Sequence, residues 1–310
     1  AAAGLLAGCG DQGEGPKAKG KGGAGKPRIA LVMKSLANEF FKTMEDGAHA
    51  HQKQNAGQYE LIANGIKDER DVEKQRALVA QMIAQGVDAI VIAPADSKAM
   101  VSVCKKALDA GIVVVNIDNK LDAGVLKEKG IAIPFVGPDN RKGARLAGEY
   151  CAKKLEAGDQ IAIVEGIPNA INGILRKQGF EDAAQAAKLI IASSQTAYWE
   201  TDKAEKVVSG MVTQHADVKA VWCANDSMAL GAVAALKAAG KLDAVAVVGF
   251  DNISAVQQLM KEGKVLCTVD QHADQIAVYG ILFALDILNG KAKPADKETP
   301  VDLVTAADLK

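Results

Sequence analysis

At 310 residues the chain has room for two domains of ordinary size. Its 37 Lys and Arg nearly balance 38 Asp and Glu, and the net charge of −1 excludes the basic surplus of a general nucleic-acid binder. Hydrophobic residues make up 49% of the chain but aromatics only 4%, so the core must be mainly Ala, Val, Leu and Ile, and aromatics adjacent at a strand end carry unusual weight.

The chain opens on small apolar residues, Ala1 to Cys9, which predict the end of a secretory signal's apolar region. Leu6-Ala7-Gly8-Cys9 resembles the bacterial lipobox, which implies export and lipidation at Cys9. Residues 10–27, rich in Gly and Lys with two prolines, predict a flexible tether. Inside it, Gly20-Lys21-Gly22-Gly23-Ala24-Gly25-Lys26 mimics a phosphate-binding loop. Pro27 follows where Ser or Thr would bind Mg²⁺, and no strand precedes the loop to aim its amides, so this reading is rejected. No uninterrupted apolar run reaches the roughly 18 residues of a membrane span, which leaves the Cys9 lipid as the expected membrane attachment.

From Arg28 onward, apolar strands alternate with helix-length segments. The strand candidates are 28–33, 59–64, 88–94, 112–118, 133–137, 160–165, 189–194, 220–224, 245–250 and 265–269; helices are expected between them, for example over Asp71 to Gln85 and Lys142 to Leu155. This alternation predicts an α/β protein with parallel sheets covered by helices on both faces. The strands are too many for one small sheet and fit two doubly wound domains, with a break near Pro138-Asp139-Asn140. The pattern does not supply the strand order.

In open α/β sheets ligands bind outside the carboxyl ends of the strands. The first strand, Ile29 to Met33, ends on Lys34, then Asn38 and the pair Phe40-Phe41, with a helix expected from about Lys42. Later strands end on Asp118-Asn119, Asn225-Asp226, Phe250-Asp251 and Asp270-Gln271. Carboxylates and amides pair with vicinal hydroxyls, while aromatic faces cover the C–H faces of a sugar ring. One such Asp is ordinarily a helix cap, and Asp226 before Ser227 fits that role, but the recurrence predicts a convergent polyol site. Cys104 and Cys151 fall in expected helices and Cys223 and Cys267 in buried strands; they read as small buried hydrophobes. His49, His51 and His215 read as helix-surface residues, and none of these or His272 is grouped with Cys or acids as metal ligands are.

Four pieces in order carry a resemblance: Lys34-Ser35-Leu36-Ala37-Asn38-Glu39-Phe40-Phe41, Asn116-Ile117-Asp118-Asn119-Lys120, Cys223-Ala224-Asn225-Asp226-Ser227-Met228-Ala229-Leu230-Gly231 and Val248-Gly249-Phe250-Asp251. The chain resembles bacterial periplasmic sugar-binding proteins of the ribose-binding type, most closely the D-allose-binding branch, from about Arg28 to Leu303. The resemblance implies a type I periplasmic binding protein, with two similar doubly wound domains joined by a three-segment hinge. The crossovers would lie near Pro138-Asp139, Gln271-His272 and Pro300-Asp302. One sugar-binding lobe would comprise 28–138 plus 272–301, and the other 139–271 plus 302–310.

By the same resemblance, Asn38, Asp118, Arg176, Asn225, Asp251 and Gln271 would hydrogen-bond sugar hydroxyls, and Phe40, Phe41, Trp199 and Phe250 would sandwich the ring. Lys34 stands where ribose binders carry a small hydroxyl residue and the allose binder carries Lys, which favours a hexose over ribose. Asn119 stands where the ribose type has Arg and the allose type Glu, and is expected to touch the ligand and influence which sugar binds. The implied function is the solute-binding component of an ABC importer for a monosaccharide such as D-allose, monomeric and without cofactor, handing its sugar to a membrane permease. Ribose or myo-inositol are the alternative ligands, and presentation of the sugar to a chemosensory receptor is compatible with the same site.

Two other classes fare worse. An enzyme needs a reactive group with a base and an orienting partner, and no His-paired nucleophile, metal cluster or GxGxxG after the first strand is found. The effector-binding core of a sugar-responsive repressor would need a basic helix-turn-helix ahead of the first strand, where a Gly/Lys tether is read instead.

Overall fold

The computed structural model describes residues 25–309. The signal segment with Cys9 and most of the predicted tether lie outside the described residues.

The first run of elements is β1 (Arg28–Ser35), α1 (Glu39–Gln54), β2 (Glu60–Ile66), α2 (Val72–Ala84), β3 (Ala89–Ile92), α3 (Val101–Asp109), β4 (Val113–Ile117), α4 (Ala123–Glu128) and β5 (Phe135–Pro138). The second is α5 (Asn140–Ala152), β6 (Gln160–Glu165), α6 (Ile171–Ala186), β7 (Ile190–Thr196), α7 (Thr201–Gln214), β8 (Val218–Cys223), α8 (Asp226–Ala238), β9 (Ala246–Val248), α9 (Ser254–Lys261) and β10 (Cys267–Asp270). The last described elements are α10 (Ala273–Leu288), β11 (Lys297–Thr299), β12 (Asp302–Thr305) and a 3-10 turn over Ala306–Asp308.

These strands form two six-stranded sheets of matching order, β11-β5-β4-β3-β1-β2 and β12-β10-β9-β8-β6-β7. The central strands are mostly buried apolar runs, β3 without a break and β8 but for exposed Lys219, as expected of parallel strands covered on both faces. In each sheet the first strand of its run, β1 or β6, lies between its successors, so the winding reverses there. The carboxyl ends of those two strands are therefore the places where a doubly wound sheet opens a crevice.

The expected fold class holds: two doubly wound α/β halves with the chain passing between them three times. The first passage follows β5, where Asp139 caps α5 by accepting from the Lys142 N–H. The second lies between β10 and α10, which returns to pack on α1, β3 and β4. The third joins β11 to β12. Two strands escaped the sequence pattern. β11 pairs parallel with β5, and β12 pairs antiparallel with β10, so the second sheet is not wholly parallel. Both are short edge strands of mixed polarity, with no apolar run to betray them.

Two boundaries near the start also differ from expectation. β1 continues through Lys34 to Ser35, with a register shift against β2 between Met33 and Ser35. This bulge makes Lys34 the extra residue and re-aims it. It needs Gly65 opposite, where a Cβ would come within 2.6 Å of the Lys34 carbonyl oxygen. The following helix starts at Glu39 rather than Lys42, because the Asn38 side chain caps it from the Phe40 N–H at 3.1 Å. Phe40 and Phe41 thus belong to the first turn of α1.

Cys104, Cys151, Cys223 and Cys267 are all buried and unbridged, and burial pushes the Cys104 thiol up to about 12. No helix of the described residues is long and apolar enough to cross a membrane.

Candidate functional site

A cleft lies between the carboxyl ends of the two sheets. The first half contributes Lys34, Asn38, Phe40, Phe41, Glu69 and Asp118; the second contributes Asn172, Arg176, Trp199, Asn225, Asp251 and Gln271. All of them except Asn38 are buried.

On the first side, Lys34 Nζ is 3.0 Å from Asp118 Oδ2 and 3.9 Å from Glu69 Oε2. It also stands 5.5 Å from the centre of the Phe41 ring. Asn38 divides its amide: Oδ1 caps α1, and Nδ2 donates to Glu69 Oε1 at 3.1 Å. Burial raises the Glu69 carboxyl above its ordinary range, with Lys34 opposing that shift. Phe40 and Phe41 meet edge to face at 5.0 Å, so two ring surfaces are held at 80° to one another.

On the second side, Arg176 projects from α6. Its Nε donates to Asn140 Oδ1 at 2.8 Å, and Nη1 donates to the Ala224 carbonyl at 2.9 Å and to Asp251 Oδ1 at 3.3 Å. Gln271 Nε2 donates to the same Asp251 oxygen at 2.8 Å. Burial lowers the Arg176 pKa and pushes the Asp251 carboxyl well up, and each charge restrains the other's shift. Asn225 caps α8 through Oδ1, accepting from the Met228 N–H at 2.9 Å. The Trp199 ring lies across Gly166, where a Cβ would come within 2.0 Å of the indole; only glycine admits the ring there.

Three features of this cleft point to a ligand. Asp118, Trp199 and Asp251 have φ of 59°, 69° and 123°, conformations that L side chains rarely adopt and that gather where function requires them. Asp118 Oδ2, Trp199 Nε1 and Gln271 Oε1 are buried without an aligned hydrogen-bond partner, a cost that proteins normally avoid. Finally, both cleft cations already face carboxylates: Lys34 faces Asp118 and Glu69, and Arg176 faces Asp251. No surplus positive charge remains for an anion, so the chemistry suits a neutral ligand bearing hydroxyls.

Ten of the twelve residues singled out from sequence line this cleft, and two do not. Asn119 is fully buried and committed elsewhere. Its Nδ2 donates to the Pro94 carbonyl, and Oδ1 accepts from Ser97 Oγ and from the Asn172 N–H. Phe250 lies against Arg176, its ring centre 3.7 Å from the guanidinium carbon, and supports that cation rather than lining the cleft. Asp226 is not the cap of α8, since Asn225 is. Instead Asp226 is buried, accepting from Thr268 Oγ1 at 2.8 Å and the Ile253 N–H at 2.9 Å, and burial pushes its carboxyl up to about 7.

Glu69 and Asn172 were missed. Glu69 follows β2, whose end at Ile66, two residues beyond the 59–64 expected from the pattern, brings it within the strand-end rule. Asn172, in the first turn of α6, carries no sequence signal of its own.

The periplasmic binding protein domain family matches residues 29–292. The chain belongs to that family. This binding protein is 58% identical to the D-ribose/D-allose-binding protein of Pseudomonas aeruginosa over 91% of its own length and 89% of the relative's. It is 34% identical to the ribose import binding protein of Salmonella typhimurium, over 90% of each chain. Among solved structures it is similar to an ABC transporter periplasmic solute-binding protein from Actinobacillus succinogenes with bound D-allose, with TM-score 0.87 and 35% identity over 92% and 99% of the two chains. Family membership makes it a solute-binding protein rather than an enzyme, and its cleft residues are read accordingly.

Proposed function

We propose that this protein is the exported solute-binding component of an ABC importer and binds a ribose- or allose-type monosaccharide between its two halves. The observation that carries the reading is the cleft itself: aromatic faces from both sides, cations already matched by carboxylates, and buried polar atoms left without aligned hydrogen-bond partners. Asn38, Lys34 and Asp118 would meet hydroxyls from one side; Arg176, Asn225, Asp251 and Gln271 would meet them from the other. Phe40, Phe41 and Trp199 would cover the C–H faces of the ring. Closure then buries the sugar and shapes an outer surface for the permease. Among candidate sugars we favour a hexose such as D-allose, because the long cationic arm of Lys34 reaches an additional hydroxyl. A lipid on Cys9 would hold the monomer near its permease.

A thermal-shift panel of D-allose, D-psicose, D-ribose, D-glucose, D-galactose, D-fructose and myo-inositol tests this. A sugar present at about a thousand times its dissociation constant should add about 4 kcal/mol, raising Tm by several degrees. A shift with D-allose above that with D-ribose supports the hexose reading. A larger shift with D-ribose or myo-inositol overturns the hexose and keeps the class. No shift with any sugar, and no sugar released on denaturation by mass spectrometry, overturns the class.

A further inference from the structure

Helices α1, α2, α4, α5 and α8 are each capped by the side chain just before them. Helices α3, α6, α7, α9 and α10 are not, and at α6 and α9 the cap positions hold Ala170 and Ile253, whose side chains accept nothing. The first backbone N–H groups of a helix have no partner within it and must find one elsewhere. In both helices a partner comes from across the cleft. The Ile171 N–H donates to Ser97 Oγ at 3.0 Å, and the Asn172 N–H to Asn119 Oδ1 at 3.1 Å. The Ser254 N–H donates to Glu39 Oε1 at 2.7 Å. Ser97 and Asn119 follow β3 and β4, and Glu39 begins α1, so every acceptor belongs to the first sheet's half and every donor to the second.

Two of the acceptors, Ser97 and Asn119, are also held in place. Asn119 is anchored to the Pro94 carbonyl and receives the Ser97 hydroxyl, and the Ser97 N–H itself donates to the Asn169 carbonyl across the cleft at 3.1 Å.

We propose that Ser97, Asn119 and Glu39 form a closing latch, which caps two helices only when the cleft is shut and so scales the affinity for every sugar by a common factor without choosing among sugars. The inference rests on the sugar-binding, hinge-closing reading above. Opening the halves leaves these helix ends to water, and the apparent affinity follows the fraction of molecules able to close. Asn119 then acts on binding strength through closure, not through contact with a hydroxyl.

The test uses the full chain with Ser97→Ala, Glu39→Ala and the double variant, titrated calorimetrically with D-allose, D-ribose and myo-inositol. A helix cap is worth enough to expect Kd for each bound sugar to rise about 3- to 10-fold per variant. The factor should be the same for all bound sugars, the two effects should multiply in the double variant, and the change should appear mainly in the off-rate. Glu39→Gln keeps an acceptor oxygen and should restore near wild-type affinity. Folding is checked by the melting temperature without sugar, and Glu39→Ala carries the test alone if Ser97→Ala is compromised. Unchanged affinity in folded variants overturns the latch, and so does a change confined to one sugar. A wild-type chain that binds no monosaccharide overturns the sugar-binding reading itself, an outcome separate from tight wild-type binding with unaffected variants.

Discussion

Lys34 Nζ and Asp118 Oδ2 stand 3.0 Å apart, both side chains almost wholly buried, and they join the ends of two strands that are not neighbours in the first sheet. The pair exists because the β1 bulge turns Lys34 inward and because Asp118 accepts a left-handed backbone at the end of β4. A buried charge left without its partner is costly. Replacing Asp118 with Asn should therefore weaken sugar binding by about 2–5 kcal/mol, measured by titration calorimetry. Circular dichroism should show a retained fold. Wild-type affinity in this variant would remove the pair from the site.

Arg176 spends its planar fork on Asn140, Ala224 and Asp251 while its face rests on Phe250. Lysine offers one charge point and no flat surface, so Arg176→Lys cannot reproduce this set. The expected loss in affinity is at least about 2 kcal/mol, since hydrogen bonds to charged groups are broken. Calorimetry on the folded variant decides it.

Gly166 is the floor on which Trp199 lies. Gly166→Ala should displace the indole, lower stability by about 1–3 kcal/mol through overpacking and weaken every sugar that the wild type binds. Denaturant unfolding and tryptophan fluorescence with and without sugar would follow both effects.

Asp226 supplies a pH prediction. Its folded pKa, pushed up to about 7, lies above the ordinary 3.8. Between those values the unfolded chain has lost the proton that the folded chain keeps. The folded state therefore binds more protons, and stability from this group falls as pH rises from about 4 to about 7. Asp226→Asn carries no such proton. Relative to wild type, its unfolding free energy should gain more than about 1 kcal/mol on going from pH 5 to pH 8, whatever its offset at one pH. The raised carboxyls of Glu69 and Asp251 act in the same direction but are common to both proteins. Parallel pH profiles for the two proteins would count against a protonated Asp226.

Local pattern was enough for the class of fold and most of the cleft. A parallel strand covered on both faces has to be a largely apolar run, as Ala89–Ile92 is throughout and Val113–Ile117 is but for buried Asn116, so the β/α alternation is written along the chain. The crevice of such a sheet opens at the strand ends, which is why Lys34, Asp118, Asn225 and Asp251 could be picked out before their neighbours were known. Lys297–Thr299 and Asp302–Thr305 show no such run, because edge strands are defined by the partners they pair with.

Asn119 and Phe250 mark the limit of that reasoning. Both adjoin true cleft residues in the chain, and both turn away. At a strand end the direction of a side chain depends on the backbone dihedral of the residue beside it and on which polar groups of the other half come within reach. For Asn119 those groups are the Asn172 N–H and Ser97 Oγ; for Phe250 the neighbour is the Arg176 guanidinium. Residue type and spacing fix what a position can offer a ligand, whereas the packing of one half against the other decides whether the offer is made to the ligand or to the protein itself.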